Sequence, residues 1–125
     1  MSKRSAREQA LSALYAADVT AGQPDLTGLS GRASRYVTGT WERREQLDQA
    51  ITAAATGWRV ERMPAVDRNI IRLSLYELLS EDTPMAVVVS EAVNLAKQFS
   101  TERSGAFVNG VLAKLLPTAA AKETS

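Results

Sequence analysis

An all-α fold is what this sequence predicts, and three observations predict it. Apolar residues recur at spacings of three and four along most of the 125 positions, which lines them up on single helix faces. The only strand-like run, Val87-Val88-Val89, continues into Ala92, Val93, Leu95, Ala96 and Phe99 at helical spacing. Turn-forming glycine and proline residues gather mainly between the periodic stretches. The expected product is one compact domain of five or six helices with short connections.

Residues 1–20 form the first expected helix. Ala6, Ala10, Ala13, Leu14 and Ala17 share a face, Ser2 or Ser5 is placed to cap the start, and Gly22 with Pro24 ends it. Residues 21–31 hold three glycines and one proline and read as a loop, with room for one short helical turn near Leu26–Leu29. A helix from about Arg32 to Thr56 buries Tyr36, Val37, Trp41, Leu47, Ile51, Ala54 and Ala55. Gly39 weakens it by about 1 kcal/mol relative to alanine, which a kink or a close helix crossing would explain. Gly57 is placed to stop it.

Trp58–Pro64 is a connector with room for one helical turn, and Pro64 suits the first position of the next helix. That helix, Pro64–Ser80, is apolar nearly all round and so belongs at the centre of the domain. Thr83-Pro84 opens a helix that runs to about Phe99. Ser104 is placed to cap the last helix, whose apolar face is Phe107, Val108, Val111, Leu112 and Leu115. Pro117 ends it, leaving 118–125 as a disordered tail after a domain of residues 1–117.

Composition narrows the function. Hydrophobic residues make up 45% of the chain but aromatics only 6%, so the core is aliphatic. Net charge is +1, so any nucleic-acid site has to be a local patch. Cysteine and histidine are absent, which removes thiol chemistry, the usual zinc sites and imidazole acid–base catalysis. No metal or cofactor site suggests itself. The longest apolar run, Met85–Val89, is far short of the roughly 20 residues a membrane span needs. The basic N-terminus leads into no uninterrupted apolar stretch, so a cytoplasmic protein is expected.

Four groups of residues could carry function. Lys3, Arg4 and Arg7 lie within one helical turn of each other and could hold phosphate oxygens, although such a cluster more often serves solubility. Phe107 sits on an apolar face too broad for a single core stripe, where a ring could stack on an unpaired base; periodicity alone favours a core position. Asn109 and Gly110 are poor helix formers and suggest close packing or a buried hydrogen bond. The run Asp67-Arg68-Asn69-Ile70-Ile71-Arg72 is either a helix start protruding from the core or a partner surface, and pattern favours neither. The carboxylate pairs Glu42/Glu45 and Glu77/Glu81 have the basic neighbours of a solvated face, and no phosphate loop accompanies them, so an enzyme is not expected.

Three blocks of the chain resemble one family. Arg7-Glu8-x-Ala10-Leu11-x-Ala13-Leu14-Tyr15 stands first, and Val66-Asp67-Arg68-Asn69-Ile70-Ile71-Arg72-Leu73-Ser74-Leu75-Tyr76-Glu77-Leu78 second. Ser90-Glu91-Ala92-Val93-x-Leu95-Ala96-Lys97, followed by Ser104-x-x-Phe107-Val108-Asn109-Gly110-Val111-Leu112, completes the set. In order and spacing they are similar to the NusB family of bacterial antitermination factors. The resemblance implies two small helical subdomains packed roughly at right angles, and no enzymatic activity. It implies pairing with NusE, a small-subunit ribosomal protein, and binding of boxA RNA in ribosomal RNA leaders. It also implies a place in an RNA polymerase antitermination complex with other Nus factors.

By the same resemblance Lys3, Arg4, Arg7 and Phe107 are RNA-binding, and Tyr15 and Asp67 face NusE. Arg103 stands where some relatives carry an acid, and is expected to add phosphate attraction. The loop 21–31 and the basic arm before Arg7 are shorter than in many relatives. Some relatives pair with themselves, so a homodimer is a further possibility. Two alternatives stay open: a helical protein-interaction module without an RNA role, and an isolated domain of the kind attached to some RNA methyltransferases.

Overall fold

The computed structural model describes the backbone of residues 4–55 and 57–124, with side chains as far as Leu116. Among the described residues there are six α-helices, one 3-10 turn and no strand. The helices are α1 Ala6–Thr20, α2 Gly31–Glu42, α3 Arg44–Ala54, α4 Ala65–Ser80, α5 Met85–Phe99 and α6 Glu102–Thr124, with the 3-10 turn at Val60–Arg62. The expected all-helical fold is the observed one.

α1 starts at Ser5, whose hydroxyl accepts the Glu8 N–H at 3.1 Å. It ends at Thr20, the expected end, with Ala21 rather than Gly22 as the cap. Ala21 takes the left-handed conformation at φ 55°, and the N–H groups of Ala21 and Gly22 return to carbonyls of the last turn. The loop that follows has no helical turn. Asp25 accepts the Thr27 N–H, and the Leu29 N–H reaches the Leu26 carbonyl. Gln9 of α1 accepts the Ser30 N–H at 2.9 Å and pins the loop's end.

The single helix expected over 32–56 is two helices that break at Arg43 (φ −102°, ψ 12°). α2 packs on α1 and α4, whereas α3 packs on α4 and α6, and one straight rod could not reach both. Gly39 marks the close crossing, not the break. A Cβ there would lie 2.2 Å from the Tyr76 ring, so only glycine lets α2 approach α4 this closely. The connector is tacked down by buried Val60 and Met63. Pro64 stands just before the first residue of α4 rather than at it.

α4 touches every other helix and is the axis of the core. Ile70, Ile71, Leu73 and Leu75 are fully buried on it, and so are Asn69 and Glu77. Buried polar groups need partners, and α4 finds them on the helices around it. Arg68 Nε donates to Asp18 at 2.6 Å and Asn69 Nδ2 to the same oxygen at 2.8 Å. Arg72 forks onto Asp48 with two bonds of 2.7 Å. Burial pushes the Asp18 carboxyl upward, but the bonds from Arg68 and Asn69 outweigh it and hold it below its ordinary pKa.

α6 is capped by Thr101, which accepts the Ser104 N–H at 3.0 Å, and not by Ser104, which lies buried against it. The backbone of α6 remains helical through Pro117 to Thr124, beyond the stop expected at the proline. Proline there removes one backbone bond, and the alanine run behind it favours the helix. No described helix is long and apolar enough to cross a membrane.

Candidate nucleic-acid interface

α6 turns Val108, Val111, Leu112 and Leu115 into the core. Phe107 comes to rest at the edge of that face, half-buried. Its ring meets Trp58 edge-on, with centroids 5.1 Å apart and planes at 64°. Trp58 is 54% exposed. Phe107, Trp58, Gly110, Ala55 and Lys114 line a groove of about 190 Å³. Arg103, Phe107, Gly110 and Lys114 follow one another at four-, three- and four-residue steps, so they form one stripe along α6. Arg103 and Lys114 are both exposed.

Gly110 corrects a sequence expectation. Neither it nor Asn109 is packed: both are exposed, and a Cβ on Gly110 would meet nothing within 4 Å. The tightly packed glycine of α6 is Gly105, where a Cβ would lie 2.9 Å from the Lys97 side chain. A mid-helix glycine costs about 1 kcal/mol against alanine, and at Gly110 the protein draws no packing in return. Close approach of a ligand to the backbone is a reason for glycine at such a place.

The N-terminal cluster divides. Lys3 lies outside the described residues. Arg4 is half exposed, hydrogen-bonds Ser12 and the Glu8 carbonyl, and holds its guanidinium 6.0 Å from the Phe99 ring. Arg4, Phe99, Tyr15, Leu11, Ser12 and Val66 line a second groove of about 290 Å³. Tyr15, 39% exposed, therefore adjoins Arg4. The ring that meets the N-terminal cation is Phe99, 38% exposed, and not Phe107.

Arg7 does not present itself to a ligand. Its Nε donates to Glu77 Oε1 at 2.9 Å and its Nη2 to Oε2 at 2.5 Å, and the Glu77 side chain is 1% exposed. The guanidinium is bound across the core from α1 to α4, and that bond raises its pKa. Asp67 also departs from expectation. It is 2% exposed, with one oxygen free of any hydrogen bond, so it offers no surface to a partner. In the first turn of α4 Asp67 is the buried residue, between partly buried neighbours, and the acid sits where the helix dipole favours it.

Trp58 and Phe99 were not singled out by pattern. Trp58 sits in a connector and Phe99 at the end of a periodic run, where neither position says which way the ring points. A tryptophan beside a glycine in a non-periodic stretch was the one available signal.

The chain is similar to known proteins along nearly all its length. The NusB family model matches residues 4–117. The transcription antitermination protein NusB of Symbiobacterium thermophilum is 43% identical over 137 aligned residues, covering 93% of this chain and 90% of that protein. That of Rubrobacter xylanophilus is 47% identical, covering 90% and 88%. Among solved structures, T. maritima NusB superposes with a TM-score of 0.77 at 31% identity, covering 91% and 92%. A chain of the crystal structure of antitermination factors NusB and NusE in complex with dsRNA gives 0.80 at 25% identity, covering 90% and 94%. Three sequence blocks, a six-helix fold and these matches agree: this chain belongs to the NusB family of transcription antitermination proteins, a family of factors rather than enzymes.

Proposed function

We propose that this chain works in antitermination by pairing with NusE and binding boxA single-stranded RNA in ribosomal RNA leader transcripts. It would act in the cytoplasm within an RNA polymerase complex that holds other Nus factors. The observation that carries the RNA reading is the α6 groove. An exposed tryptophan and a half-buried phenylalanine stand at its mouth, a glycine without packing partners lies in its wall, and a lysine flanks it. Unpaired bases stack on such rings, and a cation beside them suits the adjoining phosphate. The solved structure of antitermination factors NusB and NusE with dsRNA supports the coarser part of this reading, pairing with NusE and contact with RNA.

Within this reading Phe107 and Trp58 stack bases, while Arg103 and Lys114 attract phosphates. Arg4 adds a contact from α1, joined by Lys3. Tyr15, in the groove that Arg4 shares, faces NusE. Arg7 and Asp67 drop out of the contact set because one is bound to Glu77 and the other is buried.

Titrating labelled boxA RNA into the chain–NusE complex tests this. Phe107→Ala and Trp58→Ala are each expected to weaken binding about five- to 150-fold, the equivalent of about 1–3 kcal/mol of stacking. Gly110→Ala is expected to raise the melting temperature while weakening RNA binding, a combination that a merely structural glycine would not produce. Unchanged affinity in all three variants would refute the groove.

A further inference from the structure

The edge formed by α2 and the start of α3 gathers three arginines that the RNA groove does not use. Arg32 Cζ stands 5.2 Å from the centroid of the Tyr36 ring, and Arg35 Cζ 5.6 Å from the same ring. Arg43 Cζ stands 5.7 Å from the Tyr76 ring. The two rings meet edge to face at 5.9 Å, so all three guanidiniums surround one aromatic pair.

Their commitments differ. Arg35 forks onto Glu81 at 2.9 and 3.1 Å, which holds that carboxyl below its ordinary pKa. Arg32 donates only its Nε, to the Tyr36 hydroxyl at 3.0 Å. Among the described residues Arg43 makes no side-chain hydrogen bond, and neither Arg32 nor Arg43 has a carboxylate within 4.0 Å. Both are exposed. Of the acids close by, Glu81 is held by Arg35 and Tyr76, and Glu77 by Arg7. Glu42 and Asp82, their neighbours along the chain, are exposed and unpaired with either arginine.

A tyrosine face restrains a guanidinium plane while leaving its outward N–H fork free. That fork matches the oxygens of a phosphodiester. Tyr36 and Tyr76 are themselves buried, so no ring is offered to a base, and the surface would read backbone alone. A hydrogen-bond chain through the core ties Arg32 to the first turn of α1. Glu77 accepts from Arg7 and, at 3.4 Å, from the Tyr36 hydroxyl, which in turn accepts from Arg32.

We propose that Arg32 and Arg43 form a second, sequence-independent surface for the phosphate backbone of RNA flanking the segment held at the α6 groove. This rests on the reading that the chain binds RNA. The surface adds affinity and salt dependence for long transcripts, and no base preference.

Two single-stranded RNAs separate the claims: boxA alone, and boxA extended on both sides. Each is titrated into the full-length chain with NusE over a range of salt. Arg32→Ala/Arg43→Ala is expected to bind short RNA like the wild type. On the extended RNA it is expected to lose about tenfold in low salt, and its salt slope should fall by about 1.4, at about 0.7 per phosphate. Arg32→Lys/Arg43→Lys should recover most of the loss. Because Arg32 bonds Tyr36, Arg43→Ala alone is a second variant that breaks no hydrogen bond, and it should give about half the change in slope. Equal behaviour on the extended RNA overturns the proposal, and so does an equal loss on both RNAs. Unchanged RNA binding with impaired NusE pull-down would assign the patch to an acidic protein face and overturn it as well. A wild-type chain that ignores the short RNA would instead sink the RNA reading itself, and the patch with it.

Discussion

Replacing Arg7 with alanine should destabilise the fold by about 3–5 kcal/mol, the usual cost of stranding one member of a buried ion pair. Glu77 is nearly inaccessible, and among the described residues the Tyr36 hydroxyl at 3.4 Å is its only side-chain hydrogen-bond donor apart from Arg7. Without Arg7, its carboxylate sits in the core beside α1 and α2 with no countercharge. Domains of this size are stable by about 5–15 kcal/mol, so a substantial share would vanish. Chemical denaturation should show a lower midpoint with little change in slope. Removing both members by Arg7→Leu/Glu77→Leu should restore much of the loss, since two apolar chains of similar volume need no charge partner. A variant with an unaltered midpoint and weaker RNA binding would return Arg7 to the RNA surface.

The second large effect is expected at Arg72. Its side chain is 9% exposed, and the guanidinium joins three helices: it forks onto Asp48 of α3, reaches Asp18 of α1 at 3.4 Å, and meets Asn69 on its own helix at 3.3 Å. Arg72→Ala should cost about 3 kcal/mol, at the lower end for a buried pair. Asp48, partly exposed, can recover water, and Asp18 keeps Arg68 and Asn69. Arg72→Lys should rescue only part of this, because an ammonium cannot fork onto one carboxylate while reaching another. Urea denaturation of the three proteins checks the order, and a lysine variant as stable as the wild type would contradict it.

Periodicity carried most of the fold. α4 and α5 lie close to where their apolar spacing puts them, because proline and threonine mark their starts and tertiary contact does not override the pattern. The break at Arg43 left no local sign: an arginine is a good helix former, and only the need of α3 to reach α6 turns the chain there. Thr101 and Ser104 are both fair caps three residues apart, and the choice between them depends on which backbone N–H is free.

The candidate site was legible at Phe107 and Arg103 and less so elsewhere. Arg4 and Arg7 look alike on a helical wheel, and what separates them is Glu77, 70 residues further along. Gly105 and Gly110 are equally poor helix formers, yet one touches Lys97 and the other faces open space. Asp67 is buried and Trp58 exposed, and neither was legible, since both depend on how helices close around the start of α4 and the connector. Side-chain direction at element ends is a tertiary property, and that is where pattern failed.

The chain has two tryptophans, which gives the α6 groove a built-in reporter. Trp58 stands at the groove, whereas Trp41 lies on α2 under the Arg44 guanidinium at 3.5 Å. Indole N–H resonances of the chain–NusE complex, recorded as boxA RNA is added, report on each separately. The account predicts that the Trp58 signal shifts and broadens while that of Trp41 stays in place; movement at Trp41 with Trp58 unaffected would contradict it.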